Sequence, residues 1–543
     1  MRALGEQLDA YRRQADAFRW DVPDTFNFGR DVVDRRARER DGPALCWRDA
    51  AGAARDLRWS DARSGSNRVA QLARALGIQP GSPVIVLLPR VPEWHLVLVG
   101  LLKAGALVIP SATSLRPKDI AYRAQHSGAV AVIAGPESIA AVDAARRDLS
   151  GVRHFLALAA EPGRPPQGWE CLATALRAQQ GDDGATRATR ARDPALVYYT
   201  SGTTGPPKAV LHDHAYTYAQ RYTSRFWHGV REGERIWTTS DTGWAKAAYG
   251  VLFGPWSEGA EVVLYHGRFE PRAELDFLAK MSPHVFCAPP TEFRLLVKED
   301  LSGLRVPRLR ECVSAGEPLN PEVIRAWAQA TGLQIRDGYG QTETILLVAN
   351  FPGMPIKPGS MGLPMPGHAL EVIDDQGAAM PPGEVGDIAL RGDPPSLFRG
   401  YWKDAQASAR CRRGDWYLTG DRAYRDEDGY FWFVGRDDDV IISAGYRIGP
   451  FEVESALVEH PDVLEAAAVA APDADRGAVV KAFIVLRPGV RGDAELAARL
   501  QQHVKTVTAP YKYPRQIEFV DALPKTVSGK IRRVELRQRT SER

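Results

Sequence analysis

The stretch YYTSGTTGPPKAV, Tyr198 to Val210, constrains this chain more than any other. An apolar, aromatic lead-in, Ala195 to Tyr199, predicts a short buried strand. It runs straight into Thr200, Ser201, Gly202, Thr203, Thr204 and Gly205, then Pro206, Pro207 and Lys208. Glycines let the backbone take otherwise disfavoured dihedrals and come close to a ligand. Successive N–H groups in such a turn form a concave anion site, to which hydroxyls and one lysine add donors and positive charge. This is the chemistry of a phosphate-holding loop; a solvated Ser/Thr/Gly linker is the other reading of the same composition. It is not the loop of the common NTPases, which requires G-x-x-x-x-G-K-[ST]. Here two prolines separate Gly205 from Lys208, and Ala209 follows.

The rest of the chain must supply a fold large enough to carry such a loop. Its 543 residues are 44% hydrophobic and 25% charged, as expected of a globular protein with a sizeable core. Lys+Arg 70 against Asp+Glu 67 leaves +3, so no basic field argues for nucleic acid. The cysteines Cys46, Cys171, Cys287, Cys312 and Cys411 are scattered and odd in number, without a C-x-x-C pair, which fits a reducing cytoplasm. MRALGEQLDAYRRQADAF has no apolar h-region, so no signal peptide is expected. The most apolar run, His95 to Pro110, is too short to span a bilayer. His212 and His214 lie two apart with no third ligand nearby, which argues against a metal site there.

Gln7 to Phe18 predicts a short amphipathic helix. From Pro83 onward apolar strands (Val84 to Pro89, Ala106 to Pro110, Ala129 to Ala134, Phe155 to Ala159) alternate with helices (Pro92 to Lys103, Ala140 to Leu149). Fully apolar strands separated by helix-length segments indicate parallel βαβ units covered on both faces. Glu161 to Arg192 reads as a surface connection. After the loop the alternation resumes with strands at Arg235 to Ser240, Glu261 to Tyr265 and His284 to Pro290, and helices at Ala245 to Trp256 and Ala273 to Lys280. Between Gly359 and Gly435, short strands and turn signals (DDQG, PPG, DEDG) predict a small antiparallel sheet or distorted barrel. Beyond Arg436 comes a compact α+β tail.

Six further segments carry residues suited to a nucleotide and an acid. DTGWAKAAYG, Asp241 to Gly250, brings Trp244 and Tyr249 into a glycine-flanked turn, as pocket walls or as plain core. SAGEP, Ser314 to Pro318, ends a strand with small residues against which a flat ring can slide. DGYGQTET, Asp337 to Thr344, supplies an aromatic to stack (Tyr339), a hydroxyl for a phosphate (Thr342) and a carboxylate for Mg²⁺ (Glu343), a hard cation that prefers oxygen. YLTGD sets Asp421 after a tight turn, where it can accept from paired hydroxyls. GRDDDVIISAGYRIGPFEVE, Gly435 to Glu454, offers Arg436 to ribose or phosphate and Arg447 to a phosphate oxygen. PKTVSGKIRR, Pro524 to Arg533, places Lys530 on a Ser-Gly turn.

Taken in this order, these motifs resemble those of the adenylate-forming superfamily, which includes acyl-CoA synthetases, firefly-type luciferases and peptide-synthetase adenylation domains. The opening WDVPDTFNFGRDVVDR, Trp20 to Arg35, resembles medium-chain acyl-CoA synthetases. The resemblance spans nearly the whole chain and implies an α/β fold. A large N-terminal domain, 1–435, would comprise parallel βαβ layers with a β-barrel-like subdomain at 359–435, and a mobile α+β lid would follow at 436–543. It implies ATP contacts at Thr200, Ser201, Gly202, Thr203, Thr204, Gly205 and Lys208, at Gly316, Glu317 and Pro318 beside adenine, and at Asp337, Gly338, Tyr339, Gly340, Gln341 and Thr342. Asp421 would hold the ribose, with Arg436 and Arg447 nearby. Lys530, Thr342 and Glu343 would be catalytic, with Glu343 on Mg²⁺.

Trp244, Tyr249 and Gly340 would line the acyl pocket. Acetate-selective relatives carry tryptophan at the place of Gly340, so glycine implies room for a longer or bulkier acid. Ser443, Ala444, Gly445 and Tyr446 would line the CoA tunnel, with Asp438 as hinge. Arg532, Arg533 and Arg537 are read either as contacts to the CoA 3′-phosphate or as a solvated helix face. The implied activity is a cytoplasmic ATP-, Mg²⁺- and CoA-dependent ligase for medium-chain, branched or aromatic carboxylic acids. Transfer of the acyl group to a carrier protein or an amine is the alternative. No nucleic acid or membrane span is expected, and a homo-oligomer stays open.

Overall fold

The computed structural model describes residues 2–158, 165–181, 186–200, 206–443, 446–473, 476–525 and 530–541. Two large sheets dominate the N-terminal part. The first has seven strands, in the spatial order Glu170–Cys171, His154–Ala157, Ala131–Ala134, Pro83–Leu87, Leu107–Pro110, Pro194–Thr200, Lys208–Asp213. All neighbours are parallel except the last pair, which forms an antiparallel hairpin with Thr200 opposite Lys208. The second has nine strands, parallel through its centre (Glu261–His266, Arg235–Thr238, Val285–Cys287, Glu311–Ala315, Ile335–Gln341) and antiparallel at its edges. The central strands are buried throughout, so they read as unbroken apolar runs without alternation.

The helix Pro92–Ala104 is buried at every residue but Glu93 and packs against Trp59–Ala75. This accounts for the apolar run in the sequence: it is a core helix. The Lys103 ammonium inside it donates to Asp34 Oδ1 at 2.5 Å and to Asn67 Oδ1 at 2.6 Å, the pairing a buried charge requires. No helix among the described residues is long and apolar enough to cross a membrane.

The β-rich region is an antiparallel five-stranded sheet: Ala369–Ile373, Gly386–Arg391, Trp416–Arg425, with Arg412–Arg413 and Phe431–Arg436 both on the long third strand. Among the described residues no ladder joins its outer strands, so it is an open sheet and not a closed barrel. The tail holds a sheet of Val463–Asp473, Gly477–Leu486 and Gln516–Phe519 and a short hairpin, Ile441–Ser443 with Tyr446–Ile448. Helices Pro450–Val458 and Ala494–Val507 share one core with this sheet. Arg533–Ser541 closes its other face through Leu536.

Several boundaries depart from the sequence expectation. The first helix is Arg2–Ala17. The helix expected from Ala140 begins at Pro136, where a proline at the first turn loses no hydrogen bond, and ends at Ala145. The connection 161–192 carries an edge strand, Glu170–Cys171, and a helix, Leu172–Arg177. Ala245 to Trp256 is not one helix. A turn at Ala245–Ala247, a π-helical turn at Ala248–Leu252 and a short helix at Phe253–Ser257 succeed one another. A second π-helical turn, Thr223–His228, follows the helix His214–Tyr222. Such wide turns are rare and concentrate at functional sites.

Candidate active site

The site lies where the strands Pro194–Thr200, Glu311–Ala315 and Ile335–Gln341 end, the carboxyl edge at which open parallel sheets place ligands. Ser201, Gly202, Thr203, Thr204 and Gly205 lie outside the described residues; their flanks are firmly held. Tyr198 and Tyr199 are buried. The Tyr199 hydroxyl lies 2.8 Å from His126 Nδ1, and the Tyr122 hydroxyl donates to the Pro207 carbonyl at 3.2 Å. Lys208 Nζ stands 4.9 Å above the ring of Tyr401.

Tyr401 also donates to Glu343 Oε1 at 2.9 Å. Burial raises the Glu343 carboxyl above its ordinary pKa, opposed by that hydrogen bond and by the charges of Lys208 and Arg436. A buried carboxylate whose charge is penalised suits a hard cation, which would relieve the penalty. Among the described residues no group of three or more His, Cys, Asp or Glu side chains is placed to hold a metal.

Asp421 is the second focus. Its Oδ2 accepts from the Tyr339 hydroxyl at 2.6 Å and from Gln341 Nε2 at 2.7 Å, and Tyr417 donates to Gln341 Oε1 at 3.0 Å. Arg436, directly across the strand pair, comes within 3.7 Å of Asp421 Oδ1. Burial raises the Asp421 carboxyl; Arg436, Tyr339, Gln341 and Lys530 pull it down. Gln341, which holds Asp421, and Glu343 stand two residues apart in one segment.

The segment expected beside adenine has a defined local geometry. Gly316 has φ +111 and open space where a Cβ would stand, which lets a flat ligand lie on the backbone. Glu317 accepts from Thr291 Oγ1 at 2.7 Å, with Arg294 at 3.4 Å, and Pro318 is half-buried beside them.

A family model described as AMP-binding enzyme matches residues 33–402, and one for the AMP-binding enzyme C-terminal domain matches 452–530. The chain belongs to the AMP-binding enzyme family. Within it, the mouse acyl-coenzyme A synthetase ACSM3, a mitochondrial protein, is 44% identical, over 99% of this chain and 94% of its own. An uncharacterized acyl–CoA ligase of Bacillus subtilis, YtcI, is 45% identical over 92% of this chain and 93% of its own. Among solved structures, the anthranilate CoA ligase AuaEII in complex with anthranoyl-AMP superimposes with a TM-score of 0.89 at 31% identity, covering 96% of this chain and 98% of that one. The expected resemblance and fold class hold.

The structure brings Tyr339, Gln341, Asp421 and Arg436 together and sets Glu343 beside Tyr401, but it redirects several other expected residues. Gly340 does not open a pocket. A Cβ there would stand 1.9 Å from the Ile345 carbonyl oxygen, so this glycine is required by a close backbone approach at a bulge between two strands. Ile345 itself has φ 58, rare for a β-branched residue, and marks strain directly after Thr342, Glu343 and Thr344. The Asp337 carboxyl is buried and accepts from the Gly338 N–H at 2.9 Å, and Gly338 faces Trp227; neither side presents a side chain to the cleft. Trp244 and Tyr249 pack into different core clusters, so they do not form one wall.

Arg533 donates to both Glu454 oxygens at 2.7 Å, and Arg537 pairs with Asp439, so these two arginines clasp the tail together and are neither a solvated face nor free for a phosphate. Ala444, Gly445 and the Arg447 side chain lie outside the described residues. Ser443 is buried, and exposed Tyr446 stacks on Tyr511 at 4.4 Å.

Two contributors escaped the sequence. Tyr401 lies in a segment, 399–402, that lies along strand Lys208–Asp213 by backbone hydrogen bonds between residues far apart in the chain. His212, dismissed as a metal ligand, hydrogen-bonds through Nε2 to the Thr342 carbonyl at 2.7 Å and stacks on Tyr216 at 3.7 Å. Burial lowers its pKa to about 3, so it is a neutral donor that positions the Thr342–Glu343 turn. Its place two residues after Val210 on the strand leaving the phosphate loop was the available signal.

Proposed function

We propose that the chain is an ATP-dependent carboxylic acid–CoA ligase acting through an acyl-adenylate. The observation that supports this reading is a chain of contacts from Lys208 over Tyr401 to Glu343, and from Tyr339 and Gln341 of the same segment to Asp421 and Arg436. A carboxylate oxygen attacks the α-phosphorus of ATP and pyrophosphate leaves. The CoA thiolate then attacks the acyl carbonyl carbon and AMP leaves with its electron pair. No nucleophilic side chain is required, because ATP supplies the leaving group; the protein supplies position and charge neutralisation.

Asp421, aligned by Tyr339 and Gln341, receives the ribose hydroxyls. Thr200 to Gly205 and Lys208 hold the outer phosphates, and Glu343 with Thr342 would hold Mg²⁺, which when bound neutralises phosphate charge. Lys530 reaches the α-phosphate and the acid. The other assignments for ATP, CoA and the acyl group are proposals of the same kind.

Asp438 is the proposed hinge. Asp437 before it binds back to Arg422 and to the Gly420 carbonyl, whereas Asp439 after it binds forward to Arg533 and Arg537. The change of anchoring falls at Asp438, two residues beyond the proposed boundary at 435/436, since Arg436 still pairs with Asp421. With Lys530 facing the site, the Ser443–Tyr446 hairpin stands exposed at Tyr446, and a rotation would exchange them between the half-reactions. Medium-chain, branched or aromatic acids are the proposed substrates. A cytoplasmic location and a homo-oligomeric state belong to the same proposal.

The test measures pyrophosphate and AMP with an acid panel of straight-chain and benzoate-like acids, then thioester with free CoA against a carrier-bound phosphopantetheine and simple amines. Release of ADP and phosphate would end the reading. Acyl transfer to carrier or amine but not to CoA would move it to the alternative.

A further inference from the structure

The acid end of the cleft has a feature that the ligase reading leaves unused. The helix His214–Tyr222 and the π-helical turn Thr223–His228 present Tyr216, Gln220, Ser224 and His228 at successive four-residue steps, one face of a helix. All four are buried: Gln220, Ser224 and His228 are 0% exposed and Tyr216 1%. The face is turned to Tyr249. The His228 ring lies 6.2 Å from the Tyr249 ring, and the Tyr249 hydroxyl is close enough to Tyr216 to bear on its ionisation. A Cβ on Gly254 would meet both the Tyr249 carbonyl and Ser224 Oγ. Tyr249, unlike these neighbours, is only half-buried by its surface exposure.

Yet the face is unsatisfied. His228 Nε2 and the Gln220 amide have no partner of good geometry, and the Tyr216 hydroxyl has at most a poor contact with Gln220; His228 Nδ1 is engaged by Ser224 Oγ at 2.9 Å. Buried polar groups are nearly always hydrogen-bonded, and leaving one unpaired is costly. The groups are uncharged: burial, with Lys246 and Arg336 nearby, takes His228 to about 3. Between them they offer donors and acceptors together, which matches a hydroxyl group and not a second carboxylate.

We propose that this face receives the far end of the acid, and that the preferred acid carries a hydroxyl group there. The proposal rests on the ligase reading and narrows its substrate class. A site built to hydrogen-bond a substrate hydroxyl rejects the analogue lacking it far more strongly than an apolar pocket rejects an extra methylene.

The experiment compares kcat/KM for pyrophosphate release by the full chain with benzoate and the hydroxybenzoates, and with octanoate and its hydroxylated counterparts. At least one hydroxylated acid should exceed its parent by about tenfold or more. Gln220→Leu should reduce the ratio of that acid to its parent to about threefold or less, with Gln220→Met as a second variant should the first not fold. The proposal is overturned if both parents outperform all their hydroxylated forms, or if neither variant changes the ratio. The wild-type comparison decides even if no variant folds. Turnover of parents alone overturns this inference and leaves the ligase reading standing; no adenylation of any acid overturns both.

Discussion

The two halves of the cleft treat buried polarity in opposite ways. Around Asp421, polar groups close on one another: Tyr339 and Gln341 on Asp421, Tyr417 on Gln341, Tyr401 on Glu343, His212 on the Thr342 carbonyl. Around Tyr249, groups of the same chemistry stand buried and unclosed. The difference teaches which ligand is invariant. A nucleotide presents the same ribose and phosphates at every turnover, so its side can be preorganised at no cost in range. A site that must accept different acids can leave such groups for the ligand to complete.

The largest effect should come from breaking the reach of the tail into the nucleotide half. Lys530→Ala should lower adenylation, read as pyrophosphate release, by about 10²-fold or more, as expected for losing a charge that acts on the transition state. Conversion of supplied acyl-AMP to acyl-CoA should stay within about threefold, if that step uses the proposed other orientation of the tail. Equal loss in both half-reactions would remove the assigned role of Lys530 and the hinge at Asp438.

Next in size is the carboxylate beneath Lys208. Glu343→Gln should cost about 10²-fold in kcat/KM for ATP and weaken its dependence on Mg²⁺. The pH profile sharpens the point. Burial raises the Glu343 carboxyl, so the ionised form is lost as pH falls through a value above the ordinary carboxylate range. The acid limb of kcat/KM should therefore lie higher than for an exposed glutamate and should vanish in the variant. Folding stability runs the other way: a raised folded pKa means the native state holds its proton longer than the unfolded chain, so stability declines as pH rises through that window. Unliganded Glu343→Gln protein should show a shallower decline in Tm across it.

Tyr339→Phe tests preorganisation alone. Removing one hydroxyl that aligns Asp421 leaves an acceptor partly unpaired, worth about 1–3 kcal/mol. KM for ATP should rise by about tenfold, with the preference among acids unchanged. A changed acid preference would show that the two halves are not separate.

What the structure shows of the nucleotide half was legible because it is local: an aromatic, an amide and a carboxylate within a few residues, Tyr339 to Glu343, whose partners the structure identifies. The parallel layers were legible from apolar runs. What was lost depended on contacts distant in sequence. Tyr401 reaches Glu343 only because 399–402 lies along the strand after the phosphate loop. Arg533 is bound by Glu454, which no spacing reveals. The stretch from Ala245 looked helical because its composition is helical; tertiary packing widened its turn at Ala248–Leu252 and set Tyr249 against the helix His214–Tyr222.

Gly340 makes the smallest and most discriminating test of the boundary between the halves. If the position opened toward the acid, a methyl group there would be accommodated and would trim the longest substrates. The geometry says otherwise: a Cβ would stand 1.9 Å from the Ile345 oxygen and 2.7 Å from Leu346 Cα, both backbone atoms that cannot swing away. Gly340→Ala must then spread the bulge that sets Gln341, Thr342 and Glu343. Overpacking of this kind costs about 1–3 kcal/mol, visible as a Tm lower by a few degrees, and the ATP parameters should worsen while the order of preference among acids stays as it was. A variant with wild-type Tm and a truncated chain-length profile would return Gly340 to the acid pocket, and with it the view that the Ile335–Gln341 strand serves both ligands.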